Sequence, residues 1–170
     1  MTVADLLQRA RAAGVRVATA ESCTGGMVAA ALTDIAGSSD VFDCGFVTYS
    51  NAAKIAMLGV RSGTLDQYGA VSEPVAVEMA EGALAHSMAT LAVSITGIAG
   101  PGGSEFKPEG RVCFALARQG KSTHAETVEF GDLGRDAVRQ AAREHAFALL
   151  SRALDGGQFG ALVSVTSTAM

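Results

Sequence analysis

A chain of 170 residues, 49% apolar and 18% charged, is long enough to bury one core without disulfide or metal support and too apolar for wholesale disorder. With 13 Lys and Arg residues against 17 Asp and Glu, the net charge is −4, so the basic footprint of a binder of duplex nucleic acid or anionic membrane is missing. Cys23, Cys44 and Cys113 are odd in number, widely spaced and without a CxxC pair, which argues against a disulfide framework or zinc site and for a reducing, cytoplasmic compartment.

In chain order, Thr2 with Asp5 three residues later is a capping-box variant opening a helix; Val3, Leu6, Leu7 and Ala10 form its apolar stripe and Gly14 stops it. Asp5, Arg9 and Arg11 are incompatible with a secretory signal, and no uninterrupted apolar run is long enough to span a membrane. Val15 to Thr19 alternates as a strand does. It runs through Ala20-Glu21-Ser22-Cys23-Thr24-Gly25-Gly26 into an Ala-rich helix reaching about Thr33, and strand, glycine turn and helix together are an α/β signature. A turn at Ala36 to Asp40 leads to a strand at Phe46 to Tyr49. Ser50 or Asn51 then caps a short helix holding Lys54 and ending near Gly59, and another short helix follows from about Thr64 to Tyr68. Ser72 caps a longer helix with Glu73 and Pro74 in its first turn and Val75, Met79, Ala80 and Leu84 on one face. Leu91 to Thr96 is the most apolar strand and is placed centrally. After the glycine loop Gly97 to Ser104, Arg111–Ala117 and Ser122–Phe130 form a hairpin around Gln119-Gly120. The last helix runs from Arg135 to about Leu154, with Val138, Ala142, His145 and Leu149 inward. The expectation is one α/β domain over residues 1–155, a layered sandwich with a mixed sheet flanked by helices, and an uncharged tail, 156–170, in which Leu162 to Val165 could form an edge strand or pair with another subunit.

Three segments could carry chemistry. Ser22 to Gly26 joins a strand end to a helix N-terminus, where ligands of open α/β sheets bind and free N–H groups favour an oxyanion. The plainer reading makes Ser22 or Thr24 an N-cap, although a cap needs only one such residue. Lys54 follows a strand, so it could share that edge and act as base to a serine if burial lowers its pKa; the alternative is a solvated surface lysine. Consecutive N–H groups between Thr96 and Ser104 could form an anion nest or belong to a plain surface loop. Arg135 and Arg139, one turn apart, could clamp a phosphate or simply be solvated. His86, His124 and His145 lie far from Ser22 in sequence, and no spacing suggests a metal site.

Taken together, Ala20–Gly26, Ile35–Ser39, Gly45–Asn51, Ala53-Lys54, Gly69–Pro74, Thr96–Gly103, Lys107–Gly110 and Arg135–Arg139 resemble, in order over about residues 3–152, the CinA C-terminal domain family of nicotinamide mononucleotide (NMN) deamidases. The resemblance implies hydrolysis of the NMN carboxamide to nicotinate mononucleotide and ammonia, with no cofactor and no metal. By resemblance Ser22 is the nucleophile, Lys54 its base and Tyr49 a neighbour of both. Cys23, Thr24, Gly25, Gly26, Ser39, Gly97, Ile98, Gly100, Gly103 and Arg135 are implied to contact the substrate. The partner implied is a small pyridine nucleotide, with neither nucleic acid nor membrane, and the chain is expected to form a homodimer or larger homo-oligomer. Many relatives carry a further N-terminal domain linked with ADP-ribose pyrophosphatase activity; a chain of this length is expected to lack it. Gly131-Asp132-Leu133-Gly134-Arg135 holds two residues more than the family's usual Gly-Asp-Arg, which leaves the placement of Arg135 open. Two rival readings remain: Cys23 as nucleophile, its thiol activated at a helix N-terminus, and a non-catalytic nucleotide- or partner-binding module of the competence and DNA-damage response.

Overall fold

The computed structural model describes residues 1–104 and 106–156. Helix α1 (Val3–Ala12) opens with the reciprocal cap expected from its sequence: the Thr2 hydroxyl accepts the Asp5 N–H at 3.1 Å and the Asp5 carboxylate accepts the Thr2 N–H at 2.9 Å. Five strands, β1 (Val17–Glu21), β2 (Phe42–Val47), β3 (Leu91–Gly97), β4 (Arg111–Arg118) and β5 (His124–Glu129), form one sheet in the order β2-β1-β3-β4-β5. The sheet is mixed: β1 runs parallel to β2 and β3, whereas β4 and β5 are antiparallel to their neighbours. The most apolar segment, β3, is the central strand, as expected.

The remaining helices are α2 (Met27–Thr33), α3 (Asn51–Leu58), α4 (Ser62–Tyr68), α5 (Glu73–Ala85) and α6 (Arg135–Leu154), with a 3-10 turn at Ser38–Asp40. Strand alternation sorts the core into two halves. Val17, Leu91, Val93, Ile95, Phe114 and Leu116 pack against α1, α2 and α6. On the other face Ala18, Ala20, Ala92, Ala115 and Ala117 meet α5 through Ala76, Ala80 and Ala83. This small-residue face shows how a chain with 5% aromatic residues fills its core: α5 lies close on the sheet, and the Ser94 hydroxyl reaches the Ala76 carbonyl at 2.6 Å.

Two elements differ from the sequence reading. Strand β2 starts at Phe42 and ends at Val47, which leaves Thr48 and Tyr49 beyond the strand. Gly45 hides its start from a hydrophobic scan, yet a Cβ there would come within 3.0 Å of Thr19 Oγ1 and 3.1 Å of the Ala29 Cβ, so glycine is what admits α2 against the strand. His145 is only half-buried; its ring packs on Phe114 with centroids 4.5 Å apart and its Nε2 meets the Glu126 carboxylate. The proposed Leu162–Val165 strand lies outside the described residues. Among those described, no helix is long and apolar enough to cross a membrane.

Candidate active site

The C-terminal ends of β1, β2 and β3 converge on Ser22. Its N–H donates to the Ile95 carbonyl at 2.9 Å, and the Thr48 N–H donates to the Glu21 carbonyl at 2.9 Å, so the residue just past β1 stays tied to both neighbouring strands. The chain then turns through Gly25 (φ +55°) and Gly26 (φ +101°), left-handed conformations that favour glycine. Gly26 is the N-cap of α2 and provides no side-chain cap. Instead the buried Glu21 carboxylate accepts the N–H groups of Val28 (2.9 Å) and Ala29 (3.0 Å). The expectation of a helix N-terminus open to substrate is therefore corrected, because a carboxylate of the chain itself occupies that end. Neither Ser22 nor Thr24 serves as the cap.

Alternation sends Glu21 toward α2 and the next residue, Ser22, toward α3. Helix α3 is capped by Ser50, whose hydroxyl accepts the Ala53 N–H at 3.0 Å. From its first turn Lys54 enters the protein with 1% of its surface exposed. Its Nζ lies 3.0 Å from Ser22 Oγ and 2.8 Å from the Thr48 carbonyl oxygen. Neither contact neutralises a charge, so burial pushes the Lys54 pKa down, opposed only by the charge of a Cys23 thiolate. A depressed amine hydrogen-bonded to a hydroxyl is an arrangement that can activate a serine. Burial drives the adjacent Cys23 thiol the other way, up to about 11, which works against its role as nucleophile.

These groups open into a cleft of about 310 Å³. Ser22, Cys23, Tyr49 and Lys54 line one side; Gly97, Ile98, Gly100 and Gly103 line the other, and Arg135 stands at the rim. The Arg135 guanidinium donates to the Gly100 carbonyl at 2.7 Å and to the Tyr49 hydroxyl at 3.0 Å, joining the two sides. The extra residues before Arg135 thus leave it facing the cleft. Tyr49 is 64% exposed and meets Arg135, with no hydrogen bond to Ser22 or Lys54. Thr24, Gly25 and Gly26 shape the turn but do not line the cleft. Ser39 lies in the 3-10 turn before β2, at the opposite end of the sheet from Ser22.

Several N–H groups of the glycine loop already have acceptors within the chain. The Ile98 N–H donates to the Arg111 carbonyl (2.9 Å), the Gly102 N–H to the Glu109 carboxylate (3.1 Å) and the Ser104 N–H to the Lys107 carbonyl (3.0 Å). Glu109 fills the hollow: a Cβ on Gly100 would fall 2.0 Å from its carboxylate. Sequence reading missed Glu109 and the Thr48 carbonyl, since no motif marks a main-chain acceptor. It noticed Arg139 only as a companion of Arg135, although the spacing put both on one helix face. A larger, shallow concavity of about 640 Å³ sits at the other end of the sheet, between the end of α5 and the β4–β5 turn, away from these groups. Among the described residues no cluster of His, Cys, Asp and Glu could hold a metal.

Comparison with known proteins adds a family to this geometry. The model of the CinA C-terminal domain matches residues 2–154. Nicotinamide-nucleotide amidohydrolase PncC of Escherichia coli K12 is 58% identical over 145 residues, 84% of this chain and 87% of that protein. A putative competence-damage inducible protein of Symbiobacterium thermophilum is 53% identical over 153 residues, 84% of this chain but 35% of its own length. The crystal structure of competence/damage inducible protein CihA from Agrobacterium tumefaciens superposes with a TM-score of 0.83 at 47% identity, covering 90% of this chain and 95% of that one.

Proposed function

The chain belongs to the CinA C-terminal domain family, and we propose that it hydrolyses the carboxamide of NMN to nicotinate mononucleotide and ammonia, with Ser22 as nucleophile and Lys54 as its base. The observation that carries the residue assignment is the buried Lys54 amine 3.0 Å from the Ser22 hydroxyl at the foot of a cleft. Neutral Lys54 takes the Ser22 proton as Oγ attacks the carboxamide carbon. The tetrahedral intermediate collapses with cleavage of the C–N bond, Lys54 returns the proton to the departing ammonia, and an acyl ester remains on Ser22. Water then attacks the ester, Lys54 accepts its proton, and the bond between the acyl carbon and Oγ breaks as Lys54 returns that proton to Oγ. The Thr48 carbonyl holds the amine in place throughout. The pyridinium cation of the substrate assists twice: it makes the carboxamide more electrophilic, and it lowers the Lys54 pKa further in the complex.

Arg135, with N–H groups to spare beyond its bonds to Gly100 and Tyr49, provides the cation for the substrate phosphate at the rim. Tyr49 orients Arg135. Exposed Val47, Ile55 and Met57 on neighbouring β2 and α3 support a homodimer or larger assembly, which light scattering tests. Free Cys23, Cys44 and Cys113 suit a cytoplasmic setting. The decisive assay is ammonia release from NMN, with nicotinamide and nicotinamide riboside as controls. Release from NMN alone, lost in Ser22→Ala and Lys54→Ala, is expected. Full activity in Ser22→Ala overturns the nucleophile assignment, and no release by folded wild type overturns the activity.

A further inference from the structure

Two arginines leave the first turns of α6 on one face. Arg135 reaches the rim of the cleft, whereas Arg139 passes behind it, half-buried, and meets the turn that carries the nucleophile. Its Nε–H donates to the Cys23 carbonyl at 3.0 Å. A Cβ on Gly25 would lie 3.4 Å from Arg139 Nη2, so the guanidinium runs along the Cys23–Gly25 backbone. Its charge is felt at the Cys23 thiol, where it counters part of the effect of burial.

In a trans peptide the carbonyl and the following N–H point in opposite directions. Drawing the Cys23 carbonyl toward α6 therefore turns the Thr24 N–H away from α6. Among the described residues the backbone hydrogen bonds of the turn run from the N–H groups of Ser22, Gly25 and Met27, and the Arg139 guanidinium adds the bond that holds the Cys23 carbonyl. We infer that Arg139 is a positioning residue for the reaction: by holding the Cys23 carbonyl it fixes the turn that follows the nucleophile, and with it the place of Ser22 Oγ against Lys54 and the cleft. The inference rests on Ser22 being the nucleophile.

The experiment pairs steady-state kinetics with active-site labelling. In Arg139→Ala, kcat for ammonia release from NMN falls about 10- to 100-fold, and KM stays within about 3-fold. Millimolar guanidinium ion restores part of kcat, a rescue that a merely structural role does not show. Wild type is labelled at Ser22 by a fluorophosphonate, and Arg139→Ala is labelled at least about 10-fold more slowly. Wild type that is never labelled overturns the Ser22 reading and this inference with it. Labelling that is equally fast in both proteins, or a raised KM at unchanged kcat, overturns the role of Arg139 and leaves Ser22 standing. Should Arg139→Ala fail to fold, Arg139→Gln decides: its shorter side chain does not span to the Cys23 carbonyl, so a reduced kcat at unchanged KM supports the inference and wild-type kcat overturns it.

Discussion

Replacing Gly82 with alanine tests whether the packing of α5 sets the catalytic distance. A Cβ on Gly82 would fall 2.0 Å from the carbonyl oxygen of Leu58, the last residue of α3, where real contacts almost never fall below 3.0 Å. The obstacle is backbone, so α3 and α5 must part by at least about 1 Å. Lys54 sits one turn before Leu58 on the same short helix and moves with it. Its 3.0 Å contact with Ser22 then stretches toward about 4 Å, beyond hydrogen-bonding range. Alanine gains about 1 kcal/mol of helix propensity over glycine, but overpacking against backbone costs about 3 kcal/mol. The net loss of about 2 kcal/mol lowers Tm by about 4–8 °C for a domain of this size. Displacement of a catalytic group by about 1 Å lowers kcat by up to about 100-fold. Gly63→Ala, at a helical site with nothing within 4 Å, is the control and should stabilise by about 0.5–1 kcal/mol. Calorimetry and ammonia release measure both effects. A Gly82→Ala protein with wild-type Tm and kcat would refute the reasoning.

Lys54→Met should abolish turnover, by about 100-fold or more, and change how stability depends on pH. Burial lowers the folded pKa of Lys54, so between that value and about 10.4 the unfolded chain binds more protons; wild-type stability therefore rises with pH across this window relative to Lys54→Met, and parallel denaturation curves across it would contradict the depressed pKa. The basic-form pKa in the kcat/KM profile should lie below that of a free lysine, and a value at or above about 10.4 tells against Lys54 as base. Cys23→Ala should keep kcat within about 3-fold, and iodoacetamide should label Cys23 slowly at neutral pH, since burial holds its thiol near 11; rapid inactivation by iodoacetamide revives the thiol nucleophile. Glu21→Ala leaves the Val28 and Ala29 N–H groups without their acceptor and should destabilise by about 3 kcal/mol; a Tm change under 2 °C argues against the carboxylate cap.

The parts of this protein that could be read from sequence are those governed by local rules. The Thr2–Asp5 capping box, the Ser50 and Ser72 caps and the buried run of β3 each follow from a few adjacent residues, and each stands where expected. Strand β2 was misplaced because Gly45 answers to α2 packed on it, and Asp43 to Arg16 and the Met88 N–H, rather than to β propensity. The same division runs through the site. Ser22 and Lys54 stand out because each follows a strand in an α/β chain, and the structure joins them across 3.0 Å. The filling of the glycine loop by Glu109 and the capping of α2 by Glu21 were not legible. Both involve a carboxylate answering main-chain N–H groups, Glu109 across seven residues to Gly102 and Glu21 across seven and eight to Val28 and Ala29. Sequence counts an N–H as free until something shows what it binds.

That Glu21 and Ser22 are neighbours explains why no carboxylate opposes the burial that pushes the Lys54 pKa down. A buried carboxylate beside a buried lysine would form an ion pair and hold the amine protonated at neutral pH. Here the pleat of β1 separates the two. The carboxylate goes to the α2 face, where two backbone N–H groups satisfy it; the hydroxyl goes to the α3 face, where Lys54 finds a carbonyl and a serine but no anion. One strand end thus rigidifies the turn with a charge and leaves the opposite face free of it. Sliding the strand by a single residue so that Glu21 took the place of Ser22 would put an acid against the lysine and leave Ala20 at the helix end. The five-residue register of β1 between β2 and β3 therefore sets which side chain meets Lys54 as well as how the sheet pairs.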